Sequence, residues 1–128
     1  ATPEMRAALR RGGLVGMLPD QRPSRPGVAA TFLREHVDFS PGLAALHHAT
    51  GAPVWFCVLL LDAERPALRL QLLRLAERRP APAAAHGPEA RVDCAPLVQA
   101  YADALGSAVE ASPEQYFWWH RRFSGRTK

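Results

Sequence analysis

Cysteine is scarce in this chain of 128 residues, which has only Cys57 and Cys94. Neither belongs to a CxxC pair or has a histidine at ligand spacing, so no disulfide framework and no zinc site is implied. Cys57 lies inside an apolar run and reads as a small hydrophobe. Long hydrophobic runs are also missing. The longest, Pro53 to Leu61, has nine residues, whereas a membrane-spanning helix needs about 20; it reads as a buried strand. The first dozen residues are polar, contain Arg6, Arg10 and Arg11, and lack the apolar core of a secretory signal. Ala1 stands where a start methionine would, and the expectation is a segment of a longer protein.

Familiar catalytic motifs are absent as well. GxSxG, a P-loop, GxGxxG and HExxH do not occur. A histidine followed five places later by an acid, so that the carboxylate orients the imidazole as a base towards a hydroxyl, is also missing. Pro41, Ala52, Pro53, Arg91 and Gly125 stand at that distance after His36, His47, His48, His86 and His120. No complete active site is legible in these residues.

What is present is a composition of ordinary globular type, 48% apolar and 22% charged, in a chain sized for one domain, 1–128, with a core of its own. Lysine and arginine total 16, of which Lys128 is the single lysine, and the net charge is +4. Codon bias in a GC-rich genome accounts for arginine over lysine, but not for where the charges sit. They concentrate at Arg6 to Arg34 and at Arg121 to Lys128, patches that attract phosphate, nucleic acid, an acidic carrier protein or anionic lipid.

Along the chain, Thr2 caps a short helix with Pro3 at its first position, and Gly12 closes it. Leu14 to Leu18 reads as a short buried strand ending at Pro19-Asp20-Gln21. Residues 22–27 read as a loop, Val28 to Leu33 as a weaker strand. Ser40-Pro41 starts a helix that Gly51 ends, and the strand at 53–61 follows at once. Strand, helix and strand make a βαβ crossover, which predicts a mixed α/β fold with a largely parallel sheet flanked by helices. Leu68, Leu70 and Leu72 alternate with Arg69 and Gln71, the pattern of a half-exposed strand nearer the sheet edge. Residues 76–92, rich in Pro and Ala, read as a flexible loop. Pro96 opens a helix with Leu97, Tyr101, Leu105 and Val109 on one face. Ser112-Pro113-Glu114-Gln115 has the form of a capping box opening a last helix.

Asp20 stands just past the carboxyl end of a predicted strand, where α/β sheets bind ligands; it is equally readable as a loop aspartate bonding its own backbone. His47 and His48 are neighbours on a helix and point about 100° apart, so they do not share one ligand. His47 reads as a core-edge residue, with His48 in solvent and His36 in an exposed loop. Tyr116 to Phe123 interleaves aromatics with His120, Arg121 and Arg122. One face suits core packing; the other suits a membrane interface, phosphate, or single-stranded nucleic acid.

Four ordered segments resemble the bacterial lipid A biosynthesis acyltransferases of the late, lauroyl/myristoyl type. They are Ala8 to Gln21, with its helix, glycines, strand and Asp-Gln; Pro26-Gly27-Val28 followed by Phe32; Pro41 to Val54; and the closing Ser112-Pro113-Glu114-Gln115-Tyr116-Phe117-Trp118-Trp119-His120-Arg121-Arg122-Phe123. Leu33-Arg34 stands where the family usually has a second Phe and a Gly. The resemblance implies the C-terminal part of a glycerolphosphate-acyltransferase-like fold, in an enzyme on the cytoplasmic face of the bacterial inner membrane. Such an enzyme moves an acyl chain from acyl carrier protein to a hydroxyl of a phosphorylated glucosamine lipid precursor. It uses no cofactor or metal, and nucleic acid is not expected as a partner. The catalytic histidine is expected in the part preceding this segment, which alone is expected to be inactive. The resemblance also places Asp20 in a supporting catalytic role and Gln21, Arg22, Arg25, Arg121 and Arg122 against substrate or carrier. A small basic domain binding anionic lipid or nucleic acid, or a diverged inactive homologue, are the alternatives.

Overall fold

The computed structural model describes residues 2–21, 23, 26–62, 64–80 and 93–118. Helix α1 (Pro3–Arg10) starts as its cap residue dictates, the Thr2 hydroxyl accepting from the Met5 amide at 3.4 Å. Strands β1 (Val28–Phe32) and β2 (Glu35–Phe39) form an antiparallel hairpin. β2 falls where the charged stretch read as loop; its alternation is nevertheless present, with Val37 and Phe39 inward and His36 and Asp38 outward.

Helix α2 (Gly42–Thr50) begins one residue later than expected. Pro41 occupies the cap position, and the Ser40 hydroxyl accepts from the Gly42 amide at 3.3 Å. Its end is as expected: Gly51 adopts φ 67°, a left-handed conformation cheap only for glycine, and its amide donates to the His47 carbonyl. Strands β3 (Val54–Leu61) and β4 (Leu68–Ala76) pair antiparallel, with a bulge between Val54 and Trp55. Helix α3 (Ala95–Ala111) runs as the apolar spacing predicts, burying Leu97, Val98, Ala102, Leu105 and Val109. A 3-10 turn, Pro113–Gln115, follows.

The class is therefore mixed α/β, but the sheet is not largely parallel. Among the described residues there are two antiparallel sheets of two strands each. The parallel expectation rested on a strand, helix and strand crossover, but β1 pairs with β2 and β3 with β4, so no strands pair across α2; the strand expected at Leu14 to Leu18 is also not formed. Residues 13–18 are irregular, with Leu14 92% and Leu18 82% exposed. An apolar run of five residues has no helix to bury in and finds no partner strand here, so its β propensity is not realised. The strand at 53–61 is also less buried than its composition suggests: Val54, Phe56 and Leu60 face inward while Trp55, Cys57, Leu59 and Leu61 face solvent. Of the loop read at 76–92, Ala76 still ends β4 and 77–80 are irregular, while 81–92 lie outside the described residues.

α3 lies against β1, β3 and β4, and the core forms where it meets both hairpins. Phe32 and Phe39, each 1% exposed, meet edge to face at 6.0 Å. Tyr101 of α3 sits 5.8 Å from Phe39 and 5.8 Å from Phe56 of β3, and Tyr116 sits 6.0 Å from Phe32. Edge-to-face pairs of this kind contribute about 0.5–1.5 kcal/mol beyond the area they bury. Gly27 enters β1 directly against β2: a Cβ there would strike the Phe39 carbonyl oxygen, so the glycine of the Pro-Gly-Val segment is set by backbone approach.

The turn joining β1 and β2 is made of Leu33 (φ 49°) and Arg34 (φ 70°), a two-residue hairpin turn in which both residues are left-handed. Neither is Gly, Asn or Asp, the residues that tolerate this conformation. Arg34 has the larger positive φ of the two. Replacing it, Arg34→Gly, is expected to stabilise the chain by about 0.5–1 kcal/mol, read as a higher denaturant midpoint at unchanged m-value.

Candidate functional site

The segment that was expected to end a strand instead lines an open groove. A cavity of about 380 Å³ is bounded by Met5 of α1, by Gly16, Met17, Leu18, Pro19, Gln21 and Pro23, and by Ser40 ahead of α2. Two methionines and two prolines make its floor largely apolar, while the Gln21 amide and the Ser40 hydroxyl supply polar edges. Methionine side chains adapt to irregular apolar partners. Pro19 is buried and holds the turn; Asp20, next to it, is half-buried. Among the described residues the Asp20 carboxylate makes no hydrogen bond or ion pair, and the one ion pair among them joins Arg74 to Glu77 at 3.1 Å. Gln21 thus lines the groove, while Asp20, its neighbour in the chain, is not among the lining residues. Arg22, Arg25, Arg121 and Arg122 lie outside the described residues, as do Trp119, His120 and Phe123.

The closing segment is built differently from a capped helix. Ser112 makes no side-chain cap, and the Gln115 side chain turns away from it. Instead Gln115 Oε1 accepts from the Leu61 amide at 2.8 Å and its Nε2 donates to the Leu61 carbonyl at 3.0 Å. A primary amide presents one acceptor and two donors, the same groups as a peptide unit, so Gln115 pairs with the end of β3 as one more strand residue would. Trp118 Nε1 then donates to the Pro113 carbonyl at 2.7 Å and its ring meets Tyr116 at 5.0 Å. Tyr116 packs inward; Phe117 and Trp118 remain exposed.

The model of the bacterial lipid A biosynthesis acyltransferase family matches residues 3–125. This chain belongs to that family. Curated proteins and solved structures give no match. The match runs from α1 to beyond the closing segment, so it takes in both the groove that Gln21 lines and the Gln115 clamp. Among the described residues of this acyltransferase family member, no three His, Cys, Asp or Glu side chains converge as a metal site would require.

The histidines settle as follows. His47 is buried, its Nδ1–H donating to the Ala52 carbonyl at 2.7 Å, a core-edge residue as read from its helix position. His36 is exposed but lies on β2 rather than in a loop, opposite Thr31, whose hydroxyl is 3.4 Å from its Nδ1. His48, read as a solvent residue, is half-buried and held by two hydrogen bonds. Its Nδ1 accepts from the Arg79 guanidinium and its Nε2–H donates to the Asp93 carbonyl at 3.2 Å, joining α2, the end of β4 and the start of α3. Sequence reasoning missed both this junction and the Gln115 clamp, because their partners lie 31 and 54 positions away. Only the place of Gln115 inside the closing signature hinted at a fixed role.

Two expectations follow. Gln115→Ala removes both bonds to Leu61 and is expected to destabilise the chain by about 1–3 kcal/mol, while Gln115→Glu, which keeps an acceptor but loses the donor, recovers only part; chemical denaturation reads both. Burial and the neighbouring Arg79 hold His48 below its ordinary value of 6.5. The native chain then binds fewer protons than the unfolded chain, so stability is present above about pH 6.5 and is lost as pH falls through the lower native value. Denaturation midpoints measured downward from pH 7 are expected to fall less steeply in His48→Gln.

Proposed function

We propose that this chain is the C-terminal part of an enzyme that transfers a fatty acyl chain from acyl carrier protein to a hydroxyl of a phosphorylated glucosamine lipid A precursor. It works at the cytoplasmic face of the bacterial inner membrane. The observation that carries this reading is the family match over residues 3–125. No helix among the described residues is long and apolar enough to cross a membrane.

In this reading the base is a histidine of a His-x4-acid segment of the parent enzyme, outside these 128 residues. It takes the proton of the acceptor hydroxyl as that oxygen attacks the thioester carbonyl carbon. The new C–O ester bond forms, the C–S bond breaks, and the carrier thiolate leaves and takes up the proton. Asp20 supports the base electrostatically from beside the groove, and Gln21 contacts substrate in it. Guanidinium groups form paired hydrogen bonds with phosphate oxygens, the role given to Arg22, Arg25, Arg121 and Arg122 towards precursor phosphates or the acidic carrier. No cofactor enters these steps, and the segment alone is inactive.

The test is transfer of labelled acyl chain from carrier to precursor by the parent enzyme and by this segment, side by side. Activity is expected in the parent only. Asp20→Asn in the parent is expected to lower kcat/KM by about 10²-fold, and Arg121→Gln/Arg122→Gln to raise KM for the phosphorylated acceptor more than it lowers kcat. A parent without transfer, or arginine variants indistinguishable from wild type, would overturn the respective assignment.

A further inference from the structure

The two ring nitrogens of His48 face groups that make opposite demands. An arginine side chain has donors only and stays charged. The Arg79 guanidinium can therefore bond His48 Nδ1 only while that nitrogen keeps its lone pair. The single proton of the neutral ring then lies on Nε2, which donates to the Asp93 carbonyl at 3.2 Å. This geometry admits one tautomer and no imidazolium. Beside it the Arg79 amide donates to the Gly51 carbonyl at 2.9 Å, so two bonds hold the chain after β4 to the end of α2. Among the described residues no carboxylate pairs with Arg79. On the other side of the ring, the Asp93 carboxylate accepts from the Ala95 amide at 3.0 Å and holds the first turn of α3.

The other titratable groups around the ring, among the described residues, are His47 and Asp93. The His47 ring lies edge to face at 5.5 Å, its own Nδ1–H taken up by the Ala52 carbonyl. Cys94 follows Asp93 in the chain, and burial and the Asp93 charge raise its thiol, which stays neutral. Burial and the Arg79 charge lower the His48 imidazole, against the opposing pull of the Asp93 carbonyl and carboxylate. A proton added at Nδ1 has two unequal consequences. It removes the acceptor that Arg79 uses and sets two cations in contact. It leaves Nε2–H in place, and the new charge strengthens that donor towards the Asp93 carbonyl. We infer that His48 is a one-sided, acid-sensitive clasp: neutral, it fastens the chain after β4 to the end of α2; protonated, it releases Arg79 and keeps Asp93. Residues 77–79 then part from α2 while α2, α3 and the aromatic core stay together. The carbonyl end of α2 attracts a cation, and the imidazolium fills that place once Arg79 leaves.

Nuclear magnetic resonance on this chain tests the clasp. The His48 ring is expected to titrate below its ordinary 6.5. Arg79→Gln, which keeps a donor but loses the charge, is expected to move that midpoint back up. Amide exchange, corrected for its intrinsic pH dependence, is the second readout. Below about pH 6.5 the protection of the Arg79 amide is expected to fall by up to about tenfold per pH unit. The Val98 amide, bonded to the Cys94 carbonyl in the first turn of α3, is expected to hold its protection within about twofold. His48→Gln offers an acceptor and a donor without titrating, and is expected to make the Arg79 protection independent of pH. A His48 midpoint at or above its ordinary value overturns the proposal, as does one that Arg79→Gln leaves unmoved. Loss of Val98 protection in step with Arg79, the mark of general unfolding, overturns it too. Should His48→Gln not fold, the titration of Arg79→Gln still decides.

Discussion

Everything described depends on α3 being shared by two hairpins that cannot stand alone. A two-stranded sheet in water is marginal at best, and this chain has two of them joined through α2. Tyr101 touches Phe39 of one hairpin and Phe56 of the other, while Tyr116, just after the helix, reaches Phe32. These aromatics are large enough to cover the inner face of each hairpin from a single helix. The stretch of α3 facing β1 is lined with small residues, Ala102 and Gly106 among them, which let helix and strand approach closely.

Polar groups then fix the register that packing leaves loose. Gln99 of α3 accepts from the Thr31 amide and donates to its carbonyl, both at 2.9 Å, while Gln115 does the same to Leu61. Each hairpin thus has one strand edge paired by a glutamine side chain in place of a neighbouring strand, which removes an open site for unwanted pairing. The same device is used twice, once on each side of the core, and both glutamines come from the α3 region.

Much of the local structure was legible in the chain because its causes are local. The Thr2 cap, the left-handed Gly51, the period of α3 and the strands at 28–32, 54–61 and 68–76 follow from residue type and spacing alone. What was not legible depends on distant partners. A run such as Leu14 to Leu18 has strand composition whether or not a neighbour exists, and only pairing decides its fate. The antiparallel sheets likewise reflect which strands meet, something apolar periodicity does not encode. At the site, the adjacency of Asp20 and Gln21 is given by sequence, but the groove beside them needs Met5 and Ser40 to arrive from other elements. The Gln115 side chain was expected to bond within its own turn; two backbone groups at a strand end outcompeted that local arrangement.

The groove has an uneven foundation. Its Ser40 side follows directly on the buried Phe39, whereas its other side rests on α1, a helix with no buried residue whose contacts are with α2. Local opening free energies follow buried contacts, so this protein divides into two classes of amide. Those of α3 and β1 exchange with solvent hydrogen only when the whole molecule unfolds. Those of α1 exchange through a much smaller excursion that leaves the aromatic core closed. Met5 of α1 lines the cavity, so an excursion of that helix widens the cavity around a bulky chain with no cost to the core.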